Sequence, residues 1–99
     1  TNARKKYIIL MAEMHYFFRR LNEMKVFTVI LSSINDVKNF VNIVTKYDFE
    51  IDLTSGRYVV DAKSIMGIFS LDLSKPIKVE AHSGDCSKLL EELAPYIND

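Results

Sequence analysis

The stretch FEIDLTSGRYVV, Phe49 to Val60, carries the pattern on which the fold turns. Phe49, Ile51 and Leu53 alternate with Glu50, Asp52 and Thr54, which predicts a strand with one face in the core and the other in water. Thr54-Ser55-Gly56-Arg57 predicts a hairpin turn, because Gly56 supplies the positive φ that such loops require. A partner strand, Tyr58 to Val60, follows at once.

Toward the C-terminus, Asp61-Ala62-Lys63 leads to a short helix, Ile65-Met66-Gly67-Ile68-Phe69, capped by Ser64 or Asp61. Asp72 to Pro76 reads as a loop. Ile77, Val79 and Ala81 then alternate with Lys78, Glu80 and His82 as a fourth strand, broken by Ser83-Gly84. Ser83, Asp85 or Ser87 caps a last helix with Leu89, Leu90, Leu93 and Ile97 inward, and Pro95 kinks or ends it. Toward the N-terminus, Val26 to Leu31 is a buried strand with Phe27, Val29 and Leu31 on one face. Either serine of Ser32-Ser33, or Asn35 or Asp36, caps a helix whose Val37, Phe40, Val41 and Val44 recur at helical spacing. From Lys25 the order is β-α-β-β-α-β-α. It predicts an α+β open-faced sandwich: a four-stranded antiparallel sheet with three helices on one face.

The chain has 99 residues, enough for one domain, and 48% of them are hydrophobic, so it can bury a core. Thirteen Lys and Arg balance thirteen Asp and Glu, which excludes a dedicated nucleic-acid binder with its strongly basic surface. The balance conceals an asymmetry: residues 1–25 hold six basic and two acidic residues, and the remainder holds seven basic and eleven acidic ones. The first segment is therefore +4 and the rest −4. The single cysteine, Cys86, cannot form an internal disulfide and fits a reducing cytoplasm. His15, His82 and Cys86 lack the spacing of a zinc site, and no cofactor motif is present.

Arg4 to Glu23 contains no Gly or Pro, and Tyr7, Leu10, Met14, Phe17 and Leu21 recur at helical steps. Ile8, Ile9, Met11, Tyr16 and Phe18 widen the stripe, so this helix needs cover on more than one side, from the domain or from a second copy. The apolar run Tyr7 to Phe18 falls short of the roughly 20 residues that span a bilayer, and Arg4-Lys5-Lys6 is followed by no signal-cleavage site. Export and membrane insertion are not expected, although a basic amphipathic helix leaves surface attachment open. Met24-Lys25-Val26-Phe27 reads like the natural start of the domain. Residues 1–24 thus read as an extension, of upstream or added sequence, ahead of a domain at 25–99.

AKSIMGIFSL, Ala62 to Leu71, resembles the HPr family of the bacterial phosphotransferase system. The Gly56 hairpin before it, KVEAHSGD after it and the closing Leu-rich helix strengthen the resemblance, which covers residues 25 to about 97. The family carries a phosphoryl group on one histidine, in a loop resembling GLHARPA between the first strand and first helix. Here that loop is Ser32-Ser33-Ile34-Asn35-Asp36, shorter than the family's and without its histidine, arginine and proline. The resemblance therefore implies a degenerate phosphoacceptor loop at Ser32, Ser33, Ile34 and Asn35, similar to that of the catabolite-repression paralogue of HPr. A serine phosphoester lacks the transfer potential of a phosphoramidate, so Ser33 is no substitute.

His15 and His82 stand outside that loop and are expected on the surface of a helix and of the sheet. The resemblance retains Ser64, which matches the serine modified by the kinase/phosphorylase of Gram-positive members, and it casts Ile65, Met66 and Phe69 as a partner-binding patch. A phosphate beside the positive end of a helix dipole is worth about 0.3–1 kcal/mol, so order would be kept; as bare sequence, Ser64 is equally a helix cap. The implied function is a non-catalytic, cytoplasmic, regulatory protein of the sugar phosphotransferase system. Its implied partners are HPr kinase/phosphorylase and a transcription regulator. The alternative is an interaction module that self-associates through residues 4–23. An enzyme ranks last, because acids such as Glu91-Glu92 have the spacing of solvated charge and no nucleophile–base pair is visible.

Overall fold

The computed structural model describes residues 2–22 and 24–98, with side chains described for 3–14 and 24–98. The elements are α1 (Asn2–Asn22), β1 (Met24–Val29), α2 (Ile34–Val44), β2 (Ile51–Ser55), β3 (Tyr58–Asp61), α3 (Ile65–Phe69), β4 (Ile77–His82) and α4 (Ser87–Leu93), closed by a 3-10 turn, Ala94–Tyr96. The strands form one sheet in the order β1-β4-β2-β3, each pair antiparallel. β2 and β3 meet across a two-residue turn in which Gly56 has φ 61°. A glycine at the first central position is what a type II′ hairpin needs, because its twist matches that of the flanking strands.

Alternation decides which way the sheet faces. Phe27, Val29, Ile51, Leu53, Ile77, Val79 and Ala81 are buried, and they pack with Val37, Phe40, Val41 and Val44 of α2, Ile68 of α3, and Leu89 and Leu93 of α4 in one core. All three helices thus cover one face, as the pattern predicts. Strand register puts Met24, Val26, Lys78, Glu80, His82, Asp52, Thr54, Val59 and Asp61 on the other, uncovered face.

Several details differ from the expectation. β1 ends at Val29, yet Leu31 beyond it is fully buried. The backbone there pairs instead with the C-terminal segment: Ile30 N donates to Tyr96 O (2.8 Å) and Asn98 N to Thr28 O (2.9 Å). α4 is capped by neither Ser83, Asp85 nor Ser87; its N-cap is Cys86, which gives no side-chain cap bond. The Asp85 carboxylate is occupied one residue too early, accepting from the Ser87 hydroxyl (2.7 Å) and backbone N–H (3.3 Å). Pro95 sits at the start of the 3-10 turn, after α4 has ended at Leu93, where its missing N–H costs nothing. In the single chain the described apolar side chains of α1 are open: Tyr7, Ile8, Ile9, Leu10, Met11 and Met14 are each more than half exposed.

Candidate functional site

Two places carry the residues singled out from the sequence, the head of α2 and the turn into α3. At the head of α2, Ser33 is the N-cap, with extended φ/ψ, and its Oγ accepts from Asp36 N at 3.0 Å. Asp36 reaches back, its Oδ2 accepting from Ser32 N (3.1 Å) and donated to by Ser32 Oγ (3.0 Å). This is a variant of the reciprocal capping box, with Asp in place of Glu and the return bond one residue early. Of the four candidate caps, Ser33 is the one used. The first turn of α2 therefore already holds a hydroxyl on an orphan N–H and a carboxylate at the positive end of the dipole. Ile34 and Asn35 lie exposed beside them, Ile34 with 63% of its surface open.

The turn into α3 is anchored on both sides. Ala62 is fully buried and its N–H donates to Ile51 O (2.9 Å), extending the β2 pairing. The Lys63 ammonium donates to two backbone carbonyls, Tyr47 O at 2.7 Å and Phe49 O at 3.1 Å, tying this turn to the exit of α2. Ser64 N donates to Asp61 O (3.0 Å), and Ser64 Oγ accepts from Gly67 N (3.1 Å) as the N-cap of α3. Of the two capping candidates, Ser64 is again the one used. Gly67 fits closely: a Cβ there would stand 3.2 Å from both Ser64 Oγ and Val60 Cβ, so these neighbours would have to give by a few tenths of an ångström. Beyond it, Ile68 and Leu71 are buried and hold the helix down.

That orientation leaves Met66 78% exposed and Phe69 41% exposed, with Ile65 half-buried against the core. Ser64, Met66 and Phe69 thus form one anchored, partly apolar surface. α2 and α3 pack against each other, although no described hydrogen bond joins segment 32–36 to the α3 turn. Lys63 and Gly67 were not legible as site residues, and Asp36 was read as a cap candidate and loop residue, not as the acceptor that reaches back to Ser32.

Several other titratable groups serve structure. Glu92 accepts from both the Lys46 ammonium and the Tyr47 hydroxyl. Those bonds, Lys46's first, hold its carboxyl below the usual range, while the bond to Glu92 pushes Tyr47 up to about 12. Burial pushes the Cys86 thiol up, and its Sγ donates to Ser83 O at 3.2 Å, so it is an inert packing group. His82 lies on the uncovered sheet face, its Nε2 3.1 Å from Asp52 Oδ2. His15 falls outside the described side chains. Among the described residues, no three His, Cys, Asp or Glu side chains gather as metal ligands, and no helix is long and apolar enough to cross a membrane.

The family model described as PTS HPr component phosphorylation site matches residues 36–99. The chain belongs to the HPr family. The match begins at Asp36, in the first turn of α2, and leaves residues 1–35 outside it. Among solved structures, the chain is similar to HPr-C-His of Thermoanaerobacter tengcongensis, with 28% identity over 72% of this chain and 88% of that one and a TM-score of 0.59. It is equally similar to the phosphocarrier protein HPr of Bacillus anthracis, with 27% identity over 76% of this chain and 98% of that one, also at 0.59. No curated protein matches. The HPr fold, a four-stranded antiparallel open sheet with helices, is thus shared with phosphocarriers of the phosphotransferase system.

Proposed function

We propose that residues 25–99 form an HPr domain that has given up phosphohistidine transfer and acts by protein docking, under control of phosphorylation at Ser64. The observation that carries this reading is the closed head of α2. A carrier needs an imidazole there and donors free to hold the phosphoryl oxygens. In this chain residues 32–35 supply no imidazole, Ser33 Oγ already occupies the Asp36 N–H, and the Asp36 carboxylate occupies the positive end of the helix. An incoming phosphoryl group would meet a negative charge where the chemistry needs a positive field.

The α3 turn supports the second half of the reading. Its backbone is fixed by Ala62, Lys63 and Ile68, so a partner meets a preformed surface of Ile65, Met66 and Phe69 around a serine hydroxyl. A phosphate on Ser64 adds nearly two negative charges at the edge of this apolar patch, which changes partner affinity without unfolding the helix. The partners of this reading are an HPr kinase/phosphorylase, which writes the mark, and a carbon-regulating transcription factor, which reads it. The setting is the cytoplasm, and the protein is a regulator and no enzyme.

The test is two incubations. Phosphoenolpyruvate with the general phosphotransferase enzyme leaves the chain unlabelled, whereas ATP with an HPr kinase labels Ser64 and labels nothing in the Ser64→Ala variant. Label on any histidine contradicts the first half of the proposal, and absence of kinase labelling contradicts the second.

A further inference from the structure

The two edges of the sheet are treated differently. β1 is met at its end by the C-terminal segment, where Ile97 bridges Val29 and Asn98 N donates to Thr28 O (2.9 Å). β3 is the other edge, last in the order β1-β4-β2-β3. Its pairing with β2 fixes which way its backbone points. Ala62 N donates to Ile51 O (2.9 Å), and in an antiparallel pair the bonded partners recur at every second residue, so Val60 and Tyr58 also turn their N–H and C=O groups to β2. Those of Val59 and Asp61 point outward. The Asp61 carbonyl accepts from Ser64 N (3.0 Å), whereas among the described residues no strand meets Val59 on that side. The side chains there are open as well, Tyr58 to 67% and Val59 to 64%. An edge of this kind is a template for another strand.

We infer that β3 pairs antiparallel with β3 of a second copy of this chain, about a two-fold axis at Val59, joining the two four-stranded sheets into one. The sequence of the edge selects this occupant. Arg57, Val59 and Asp61 alternate with Tyr58 and Val60. About that axis Val59 lies opposite Val59, and the two exchange both outward backbone bonds. Arg57 of each copy falls opposite Asp61 of the other, and Tyr58 opposite Val60. Opposite charges, and an aromatic against a β-branched residue, are favourable cross-strand pairs, so each position from 57 to 61 meets a complement. The neighbouring registers set Arg57 opposite Lys63 or opposite Val59 and lose the charge pairs.

Both charges are open to such a contact. Among the described residues neither Arg57 nor the Asp61 carboxylate has an ion-pair partner within its own chain. A strand from another protein would have to supply the same spacing of base and acid in reverse, which a second copy carries by symmetry. Because both copies give the same edge, the contact closes at two chains and does not propagate. The inference rests on β3 alone and is independent of the role of Ser64.

The test is sedimentation velocity of the full chain from roughly 10 μM to 1 mM, because one short strand makes a small contact whose dissociation constant falls in that range. Across it the wild type is expected to pass from the 11.4 kDa chain mass to twice that mass. Val59→Pro removes the outward N–H and keeps the pairing with β2, and is expected to raise the dissociation constant about tenfold or more. Arg57→Asp, in the exposed turn, sets acid opposite acid, and Asp61→Arg sets base opposite base; each is expected to weaken the dimer by about the same factor. An equimolar mixture of the Arg57→Asp and Asp61→Arg chains restores dimerisation, because both charge pairs are remade across the contact. Circular dichroism verifies the fold of each variant. If Asp61→Arg does not fold, since Asp61 Oδ1 also accepts from Lys63 N (2.9 Å), hydrogen exchange of the wild type replaces the mixture: the Val59 amide slows as concentration rises, and an unchanged rate overturns the inference. A wild type that stays at one chain mass to the top of the range overturns it and leaves the edge to a strand of another protein. A dimer indifferent to Val59→Pro or to Arg57→Asp overturns it too, since the contact then lies elsewhere, residues 4–23 included. A mixture that fails to restore the dimer overturns the pairing at Val59.

Discussion

Removing the cap of α2 measures directly how firmly its head is closed. Ser33→Ala deletes the acceptor of the 3.0 Å bond from Asp36 N, a loss of about 1 kcal/mol, with a range of roughly 0.5–2. Asp36→Ala removes the acceptor of two bonds from Ser32 and a negative charge from the first turn, worth about 0.3–1 kcal/mol. The two residues share a bond, so their effects overlap, and the double variant is expected to lose about 1–2 kcal/mol, less than the sum of the single losses. For a domain of this size each kcal/mol moves the melting temperature by about 4–8 °C. The double variant should therefore melt roughly 4–16 °C below the parent in calorimetry, and the amide of Asp36 should exchange faster with solvent. A melting temperature within about 2 °C of the parent, or an unchanged Asp36 amide, would refute the claim that these two side chains close the helix.

Three further outcomes follow from the same geometry. Lys63→Met loses the ammonium's bonds to Tyr47 O and Phe49 O and should cost about 1.5–3 kcal/mol in urea denaturation at constant m; an unchanged midpoint shows that Lys63 does not anchor the α3 turn. Gly67→Ala should lower the melting temperature despite alanine's better helix propensity, because its Cβ crowds Ser64 Oγ and Val60 Cβ at 3.2 Å; a rise contradicts the tight fit. Tyr47 is raised above its unfolded value to about 12, so its contribution is complete below pH ~10 and lost as pH climbs through that higher value. In absorbance titration one of the five tyrosines should ionise last, and Tyr47→Phe should abolish that step and flatten the alkaline loss of stability.

The sandwich was readable because its signals are local and periodic. Phe27 and Val29, Ile51 and Leu53, and Ile77 and Val79 alternate with polar neighbours, and Val37, Phe40, Val41 and Val44 keep helical spacing; each set became the buried face it predicts. The Gly56 turn was equally plain, since few residues other than glycine take φ 61° without strain. What escaped depends on contacts distant in sequence. Alternation already placed Leu31 on the buried face; what it did not give is that β1 ends at Val29 and that Thr28 and Ile30 pair with Asn98 and Tyr96 of the C-terminal segment. Lys63 reads as a surface cation until the fold brings the carbonyls of Tyr47 and Phe49 beneath it. At the helix heads the sequence offers several hydroxyls and acids within a few residues, and competition decides among them. Ser33 and Ser64 win their caps, while Asp85 is taken by Ser87 and leaves α4 without one.

The most direct test of the account is the chemical stability of any phosphate the chain acquires. With phosphotransferase enzyme, phosphoenolpyruvate, HPr kinase and ATP all present, the account predicts one phosphate per chain, stable in acid, on the peptide that contains Ser64. An acid-labile phosphate released with histidine kinetics, on either His15 or His82, would mean that the chain still relays phosphoryl groups and would contradict the central claim.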